Sequence, residues 1–269
     1  MSVDRNPNPA TASTHKALDL AATIVPVSNY RATAPQSAKG ANGSVTEETA
    51  LAVDPVSELE SEADAQSTVL SPGEETQRFF DVVVGELSAL RTRAEVDAIE
   101  RAADLILECE AEGGRAHVTG VGKSEYVARY IASLLSSTGT PAYFLHATEC
   151  VHGSAGQLCR SDVAIAISNS GATPELIRTV EALRRLDIRI IGVSGNRESA
   201  LSAASDVFLY AGVDNEGGSL NLAPRASILA ESYVLCALSV ALEAHKGLTR
   251  EQYARWHPGG VLGKIARGD

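Results

Sequence analysis

The sequence predicts an α/β protein in which a doubly wound, five-stranded parallel sheet lies between two helical layers, a three-layer αβα sandwich. Short apolar runs alternate with longer amphipathic segments from residue 73 onward, the pattern of strands joined by crossover helices. Two of these runs end abruptly in glycine and hydroxyl residues where the next helix begins. Roughly 195 residues follow residue 72, enough for one sizeable core. Together these observations favour helices on both faces of one sheet.

The individual elements follow in chain order. Periodic apolar positions predict two helices over residues 74–112, broken near residues 91–93. The expected strands cover residues 115–119, 141–145, 163–167, 189–193 and 207–210. The expected later helices run from the end of the glycine-containing loop at residues 120–124 to about residue 137, and over residues 174–186, 198–204 and 223–245. The last helix is apolar nearly all round, which suits burial either in the core or against another subunit.

Residues 1–72 differ in composition from the rest of the chain. They contain a single aromatic residue, Tyr30, and carry 4 Lys/Arg against 9 Asp/Glu, which is about five of the net −11 charges. Such a segment buries too little apolar surface to offset its ordering entropy. We therefore expect a disordered acidic segment over residues 1–72 and one folded domain over residues 73–269. The start of the chain does not have the pattern of a secretory signal, and the apolar patch at residues 18–27 is too short to span a membrane.

Charge and cysteine usage argue against several classes of function. The net charge of −11 comes without a basic stripe, so nucleic acid is not expected as the main partner. The four cysteines form neither a CxxC motif nor a zinc-ligand spacing. We expect reduced thiols, a cytoplasmic location and no membrane partner.

The turn after the third expected strand has the features of an anion site. The apolar run Val163–Ile167 stops abruptly, and Pro174 then suits the first turn of a helix. Between them lie Ser168, Asn169, Ser170, Gly171 and Thr173. Hydroxyls and free backbone N–H groups at the positive end of a helix dipole favour a phosphate. The alternative is an ordinary Ser/Gly-rich turn.

A second loop with similar properties follows the first expected strand. Gly122, Lys123 and Ser124 resemble the end of a nucleotide-binding P-loop, but His117 stands where that motif needs a glycine, so the nucleotide interpretation fails. Lys123 remains as a cation near the loop, or as a solvated helix-start lysine. If the strand order is flavodoxin-like, 2-1-3-4-5, the loops after the first and third strands border one crevice. Gly122 and Ser124 are then expected to contribute to the same phosphate site.

Several motifs in this order resemble one known family. They are Gly122-Lys123-Ser124, Ser137-Thr138-Gly139-Thr140-Pro141, His152-Gly153, Ser168-Asn169-Ser170-Gly171, Leu220-Asn221-Leu222-Ala223-Pro224 after Glu216, and His257-Pro258-Gly259-Gly260-Val261-Leu262-Gly263. The chain is similar to sugar isomerase (SIS) domains over about residues 74–266, and most similar to arabinose-5-phosphate isomerases. The resemblance implies an aldose–ketose isomerase that interconverts ribulose 5-phosphate and arabinose 5-phosphate through an enediol.

The resemblance also implies the residues that carry the chemistry: Lys123, His152, Glu175, Glu216 and His257. Moving a proton between C1 and C2 of a sugar needs a base, an acid and often a ring-opening group. Glu216, on a glycine-flanked loop, is the expected base, and Glu175 is either the second carboxylate or a complement to a helix dipole. His152 and His257 are candidate acids or ring-opening groups, and Lys123 is a candidate to neutralise the enediolate. No cofactor or metal is expected; a Zn²⁺ ion on the two histidines and a carboxylate would act as an inhibitor.

Assembly and substrate are the remaining expectations. The resemblance implies a homotetramer or homodimer, and the position of His257 beyond the long helix is compatible with a partner's cleft. Many relatives carry two regulatory CBS repeats after the final motif, whereas we expect none in this chain. Ser154 replaces a residue that is often acidic, and Arg225 replaces a small hydroxyl residue. These departures leave two alternatives: an isomerase of a hexulose or heptulose phosphate, and a non-catalytic phosphosugar-binding regulator.

Overall fold

The computed structural model of the chain describes residues 70–268. The disorder predicted for the N-terminal segment falls on residues that lie almost wholly outside this range. The strands are β1 (Ala116–Gly120), β2 (Ala142–Phe144), β3 (Val163–Ile167), β4 (Arg189–Ser194) and β5 (Val207–Tyr210). The helices are α1 (Pro72–Arg93), α2 (Val96–Ala111), α3 (Lys123–Ser137), α4 (Ala147–Cys150), α5 (Pro174–Arg185), α6 (Ala200–Ala204), α7 (Ala226–Lys246), α8 (Arg250–Trp256) and α9 (Val261–Arg267), with one 3-10 turn at Ser154–Gln157.

The five strands form one parallel sheet in the order β2-β1-β3-β4-β5. Side chains from one face of the sheet pack with α2, α3 and α7, and those from the other face pack with α4, α5 and α6. The predicted three-layer αβα sandwich and its flavodoxin-like strand order are therefore confirmed. β3 is buried at all five positions, as expected of a central parallel strand covered on both faces.

The first helix begins slightly earlier than the sequence predicts. Ser71 is its N-cap: the Ser71 hydroxyl accepts from the Glu74 N–H at 3.4 Å, and a Glu74 carboxylate oxygen accepts from the Ser71 N–H at 2.8 Å. This capping box fixes the helix start, and Pro72 suits the first helical position. The helix therefore includes Pro72, one residue before the expected start of the folded domain at residue 73.

α7 is the central helix of its layer. It packs against α1, α2 and α3, and it ends at Gly247, whose left-handed backbone (φ 57°) closes the last turn. Within residues 70–268 it is the one helix that is long and apolar enough to cross a membrane. Half of its most apolar stretch, however, is buried inside the fold. Its hydropathy is therefore explained by its place in the core. The sequence interpretation missed α4, α8 and α9, which are short and carry weak periodicity.

The topology brings five loops to one edge of the sheet. Because all strands are parallel, the segments after β1, β2, β3, β4 and β5 all start at the carboxyl edge. β2 and β3 flank β1 on opposite sides, so the connections leaving β1 and β3 diverge there and open a crevice. Both anion-suited loops border this crevice.

Candidate active site

The loop between β3 and α5 is shaped by its own hydroxyl groups. Ser168 Oγ accepts from the Gly171 N–H at 3.1 Å and lies 3.0 Å from Thr173 Oγ1. Ser170 Oγ accepts from the Ala172 N–H at 3.2 Å. Gly171 has φ 63°, and a Cβ there would collide with the side chains of Ser194 and Ser199, so the turn needs glycine.

This shape leaves backbone donors available. Among the described residues, the N–H groups of Asn169, Ser170 and Thr173 have no hydrogen-bond partner. They precede Pro174, the first residue of α5, and thus lie at the positive end of that helix. The loop can therefore hold an anion such as a phosphate with backbone groups alone.

The loop between β1 and α3 lies beside it at the same edge. Gly120 is required by close packing, since a Cβ would lie 2.7 Å from the Ser124 carbonyl oxygen, and Gly122 adopts φ 65°. Lys123 is exposed and forms no ion pair with any residue of 70–268. The Ser124 hydroxyl points elsewhere: it donates to Glu231 Oε1 at 3.0 Å in the interior. Only backbone groups of Gly122 and Ser124 remain for a phosphate.

Glu216 is held firmly at the start of α7. Its Oε2 accepts from the backbone N–H groups of Arg225 at 2.6 Å and Ser227 at 3.1 Å. Its own N–H donates to Asn221 Oδ1 at 2.6 Å. The carboxylate thus satisfies N–H groups that a helix start leaves free. Oε1 has no hydrogen-bond partner among residues 70–268, which leaves it available to a substrate.

Glu175 and His152 also lie at the carboxyl edge. Glu175 is exposed in the first turn of α5, and His152 is exposed just after α4, on the segment that leaves β2. Neither side chain is hydrogen-bonded or ion-paired within the described part of the chain. Four of the five predicted catalytic residues, Lys123 and Glu216 included, therefore sit on connections that leave the same edge.

His257 is placed elsewhere. Its ring stacks on Tyr253 with 3.9 Å between centroids, and its Nδ1 lies 2.9 Å from the Tyr253 carbonyl oxygen. The neighbouring Trp256 ring contacts Gly139, which precedes β2 and so lies at the amino edge of the sheet. The structure therefore does not bring His257 to the other four residues within one chain.

Sequence reasoning missed Glu231 in the middle of an apolar helix. The residue is completely buried (0% exposed), and its Oε2 has no hydrogen-bond partner among the described residues. Burial raises the pKa of Glu231 to about 7, the hydrogen bond from Ser124 opposes this rise, and the charge of Glu216 adds to it. A lone acidic residue within the apolar stretch of residues 226–242 was the available signal. Residues 70–268 contain no group of three or more metal-ligating side chains close enough to hold an ion.

The fold and this edge define the class of protein. The profile of the family described as SIS domain matches residues 111–241, and the chain belongs to the SIS family, as the motifs predicted. The chain is 43% identical over 164 residues to the arabinose 5-phosphate isomerase KdsD of Pseudomonas aeruginosa, covering 60% of this chain and 50% of that protein. It is 42% identical over 151 residues to KdsD of Escherichia coli K12, covering 56% and 46%.

A solved structure adds a relative that this chain covers almost completely. The E. coli CFT073 protein c3406 in complex with arabinose 5-phosphate superposes with a TM-score of 0.61 at 30% identity, over 69% of this chain and 95% of that chain. The curated relatives are longer: this chain spans about half of their length.

Proposed function

We propose that this protein is an aldose–ketose isomerase that interconverts ribulose 5-phosphate and arabinose 5-phosphate through an enediol. One observation carries the proposal: two loops suited to a phosphate and a carboxylate with a free oxygen, Glu216, leave the same edge of the sheet. The names of the KdsD relatives and the arabinose 5-phosphate complex of c3406 support the choice of pentose phosphate.

The proposed reaction shifts one proton from carbon C1 to C2 and one from oxygen O1 to O2, and it needs no external reactant. The backbone donors of residues 168–173 hold the phosphate. Glu216 Oε1 removes a C1 proton from ribulose 5-phosphate while O2 gains a proton, which gives the enediol. O1 then loses its proton and C2 receives one, which gives the aldehyde of arabinose 5-phosphate. Lys123 is the cation proposed to stabilise the negative charge on the enediol oxygens, and Glu175 or a histidine is proposed to move the proton between them.

The experiment follows the sugars by NMR in D₂O. Incubation of ribulose 5-phosphate with the protein is expected to yield arabinose 5-phosphate with deuterium at C2, because the protonated Glu216 exchanges the proton taken from C1 with solvent before C2 is reprotonated. Glu216→Gln, which keeps the shape and an acceptor oxygen for α7, is expected to abolish both product and exchange. Absence of exchange in folded wild-type protein, combined with retained phosphosugar binding, would favour the regulator instead.

A second candidate substrate is favoured by the surroundings of Arg225. The Arg225 guanidinium has no ion-pair partner among residues 70–268. Arg225 lines a cavity of about 390 Å³ together with Glu75, Thr76, Phe79, Gly217, Gly218 and Ser219. Because the Arg225 N–H binds Glu216, this cavity adjoins the proposed base. The cavity offers room and the positive charge of Arg225 to a hexulose or heptulose phosphate, and Glu75 contributes a negative charge to the same lining. Faster turnover of such a sugar than of ribulose 5-phosphate, lost in Arg225→Ser, would support this alternative.

We also propose a homotetramer or homodimer in the cytoplasm. Large apolar side chains are exposed on α7 and α9: Leu229, Tyr233, Val240, Val261, Leu262 and Ile265. Single-chain exposure of such side chains is typical of a surface that another subunit covers. The distance of His257 from the carboxyl edge fits a role in a neighbouring subunit's site. Mixing Glu216→Gln with His257→Ala subunits is then expected to restore part of the activity, and no restoration would contradict shared sites.

A further inference from the structure

Glu231 has no role in the reaction described above, yet it lies beside the site. It sits in the second turn of α7 and is completely buried. Among the described residues only its Oε1 has a hydrogen bond, from Ser124 Oγ at 3.0 Å. A buried carboxyl group with one unsatisfied oxygen lowers the stability of a fold. An apolar side chain at this position would make the fold more stable. A buried carboxyl group with only one hydrogen-bonded oxygen therefore needs an explanation.

A second unsatisfied polar atom lies next to it. Ser227, four residues earlier, is on the same face of α7, one turn away. Ser227 is also completely buried, and its Oγ has no partner within the described part of the chain. The Ser227 N–H donates to Glu216 Oε2 at 3.1 Å. Polar groups therefore continue from Glu216 at the helix start, through Ser227 and Glu231, to Ser124 of α3.

The groups around Glu231 come from three elements. α3 contributes the Ser124 hydroxyl, α7 contributes Ser227, and the loop before α7 contributes the carboxylate of Glu216, the one charged group in residues 70–268 that acts on it. α1 and α2 also pack on α7, and no charged side chain of theirs acts on Glu231. A negative charge on Glu231 would thus be buried and would face a second carboxylate. Burial raises the pKa of Glu231 to about 7, and the charge of Glu216 adds to this rise.

We propose that Glu231 is a positioning residue of the active site: its buried carboxyl group holds Ser124, and through it the start of α3 with Lys123, in the geometry that receives the sugar phosphate. The inference rests on the proposed isomerase function. Ser124 is adjacent to Lys123 in the first turn of α3, so a change at Ser124 moves the lysine and the 120–124 loop together. Ionisation of Glu231 adds a negative charge behind Glu216, and the site then binds an anionic substrate less well.

The test compares wild type with Glu231→Gln between pH 6 and pH 8.5. Glutamine keeps the acceptor oxygen for Ser124 but carries no charge at any pH. Titration of the substrate phosphate is common to both proteins and cancels in the ratio of their kcat/KM values. We expect this ratio, variant over wild type, to rise from about 1 at pH 6 to about 10 at pH 8.5. The matched control is Glu243→Gln, the same change on the same helix three turns further on, which is expected to keep a ratio of about 1 throughout.

A ratio for Glu231→Gln that stays constant with pH would overturn the proposal, because a merely structural role shifts activity equally at every pH. Ser124→Ala breaks the same contact without touching the carboxyl group. Because it displaces both the phosphate loop and Lys123, it is expected to lower kcat/KM at least fivefold at pH 6. An unchanged kcat/KM in that variant, with its fold intact, would also overturn the proposal.

Binding of inorganic phosphate, measured by calorimetry over the same pH series, separates this inference from the isomerase itself. If neither wild type nor any variant turns over ribulose 5-phosphate, the proposed isomerase activity is contradicted. The positioning role is still supported if the phosphate affinity of Glu231→Gln, relative to that of wild type, rises with pH. A relative phosphate affinity that is constant with pH would overturn the positioning role.

Discussion

Asp162 and Glu231 are both buried carboxyl groups, but one lies at the amino edge of the sheet and the other beside the carboxyl edge. Asp162 is fully satisfied: its oxygens accept from the Arg115 N–H at 2.8 Å and the Cys159 N–H at 2.7 Å, and one lies 3.1 Å from His117 Nε2. Glu231 has a single hydrogen bond. The amino edge uses its polar groups to hold the chain together, whereas the carboxyl edge leaves donors, cations and carboxylates free for a ligand.

The largest expected effect tests the carboxyl edge directly. Glu216→Gln is expected to lower kcat at least 10³-fold, because an amide cannot accept the substrate proton, while the affinity for phosphosugar stays within threefold. Steady-state kinetics and calorimetry measure the two quantities. Asp214→Asn, the same type of change in the same loop on an exposed side chain, is the control and is expected to keep wild-type kcat. Equal losses in both variants would contradict the assignment of Glu216.

A substitution at the amino edge is expected to lower the stability of the fold rather than its activity. Asp162→Ala leaves two buried N–H groups and His117 without their acceptor, and is expected to lower the free energy of unfolding by about 3 kcal/mol. Activity of the folded variant is expected within twofold of wild type, because Asp162 is on the opposite edge from the site. Denaturant unfolding measures the loss. The control Asp104→Ala, on an exposed position of α2, is expected to change stability by less than about 0.5 kcal/mol.

Stability against pH distinguishes the two edges by the sign of the slope. The raised pKa of Glu231 means that the folded protein binds a proton that the unfolded chain releases, so stability falls as pH rises from about 4.5 to about 7. Burial lowers the pKa of His117, an effect that Asp162 opposes, so stability is also lost as pH falls below the ordinary histidine value of 6.5. The free energy of unfolding of Glu231→Gln, relative to that of wild type, is expected to increase by on the order of 3 kcal/mol between pH 4.5 and pH 8. Denaturant unfolding measures this difference. A pH-independent difference would contradict the buried titration.

The smallest effect concerns the phosphate loop. Gly171→Ala introduces a Cβ against Ser194 and Ser199 at a residue with φ 63°, which displaces the free N–H groups of residues 169–173. Calorimetry is expected to show about tenfold weaker binding of phosphosugar, which corresponds to about 1.4 kcal/mol. Gly85→Ala on the open surface of α1, where a Cβ meets nothing within 4 Å, is the control and is expected to leave affinity unchanged. A similar loss in both would mean that the loop does not bind the anion.

Local patterns predicted the sheet and the phosphate loop well. The run Val163–Ile167 and the Pro174 helix start carry strong signals in single segments, and the structure has β3 and α5 at these places. The strand order β2-β1-β3-β4-β5 agrees with the flavodoxin-like order assumed from the sequence, although topology rules also allow the order in which the first three strands run 3-2-1. Boundaries were less certain at α7, which begins at Ala226 rather than near residue 223, because the preceding residues wrap around Glu216 as its cap.

Contacts between distant segments were beyond the reach of sequence patterns. The Ser124–Glu231 hydrogen bond joins residues 107 positions apart, and nothing local to Ser124 distinguishes a hydroxyl that faces a ligand from one that faces the core. The short helices α8 and α9 carry His257 to the amino edge by packing Trp256 on Gly139, a contact that neither periodicity nor propensity encodes. The motif containing His257 was found from sequence, whereas its distance from the other four residues was not.

The two carboxylate oxygens of Glu216 have different surroundings. Oε2 is fixed by main-chain N–H groups of Arg225 and Ser227, and the residue's own N–H is fixed by Asn221. Oε1 is thereby oriented without help from any neighbouring cation or hydroxyl of residues 70–268. A main-chain N–H group remains when its side chain is replaced by any residue except proline. The proposed reacting atom can therefore keep its position while the residues that line the rest of the pocket are substituted. A site built in this way can change which sugar it accepts while the atom that takes the proton stays where it is.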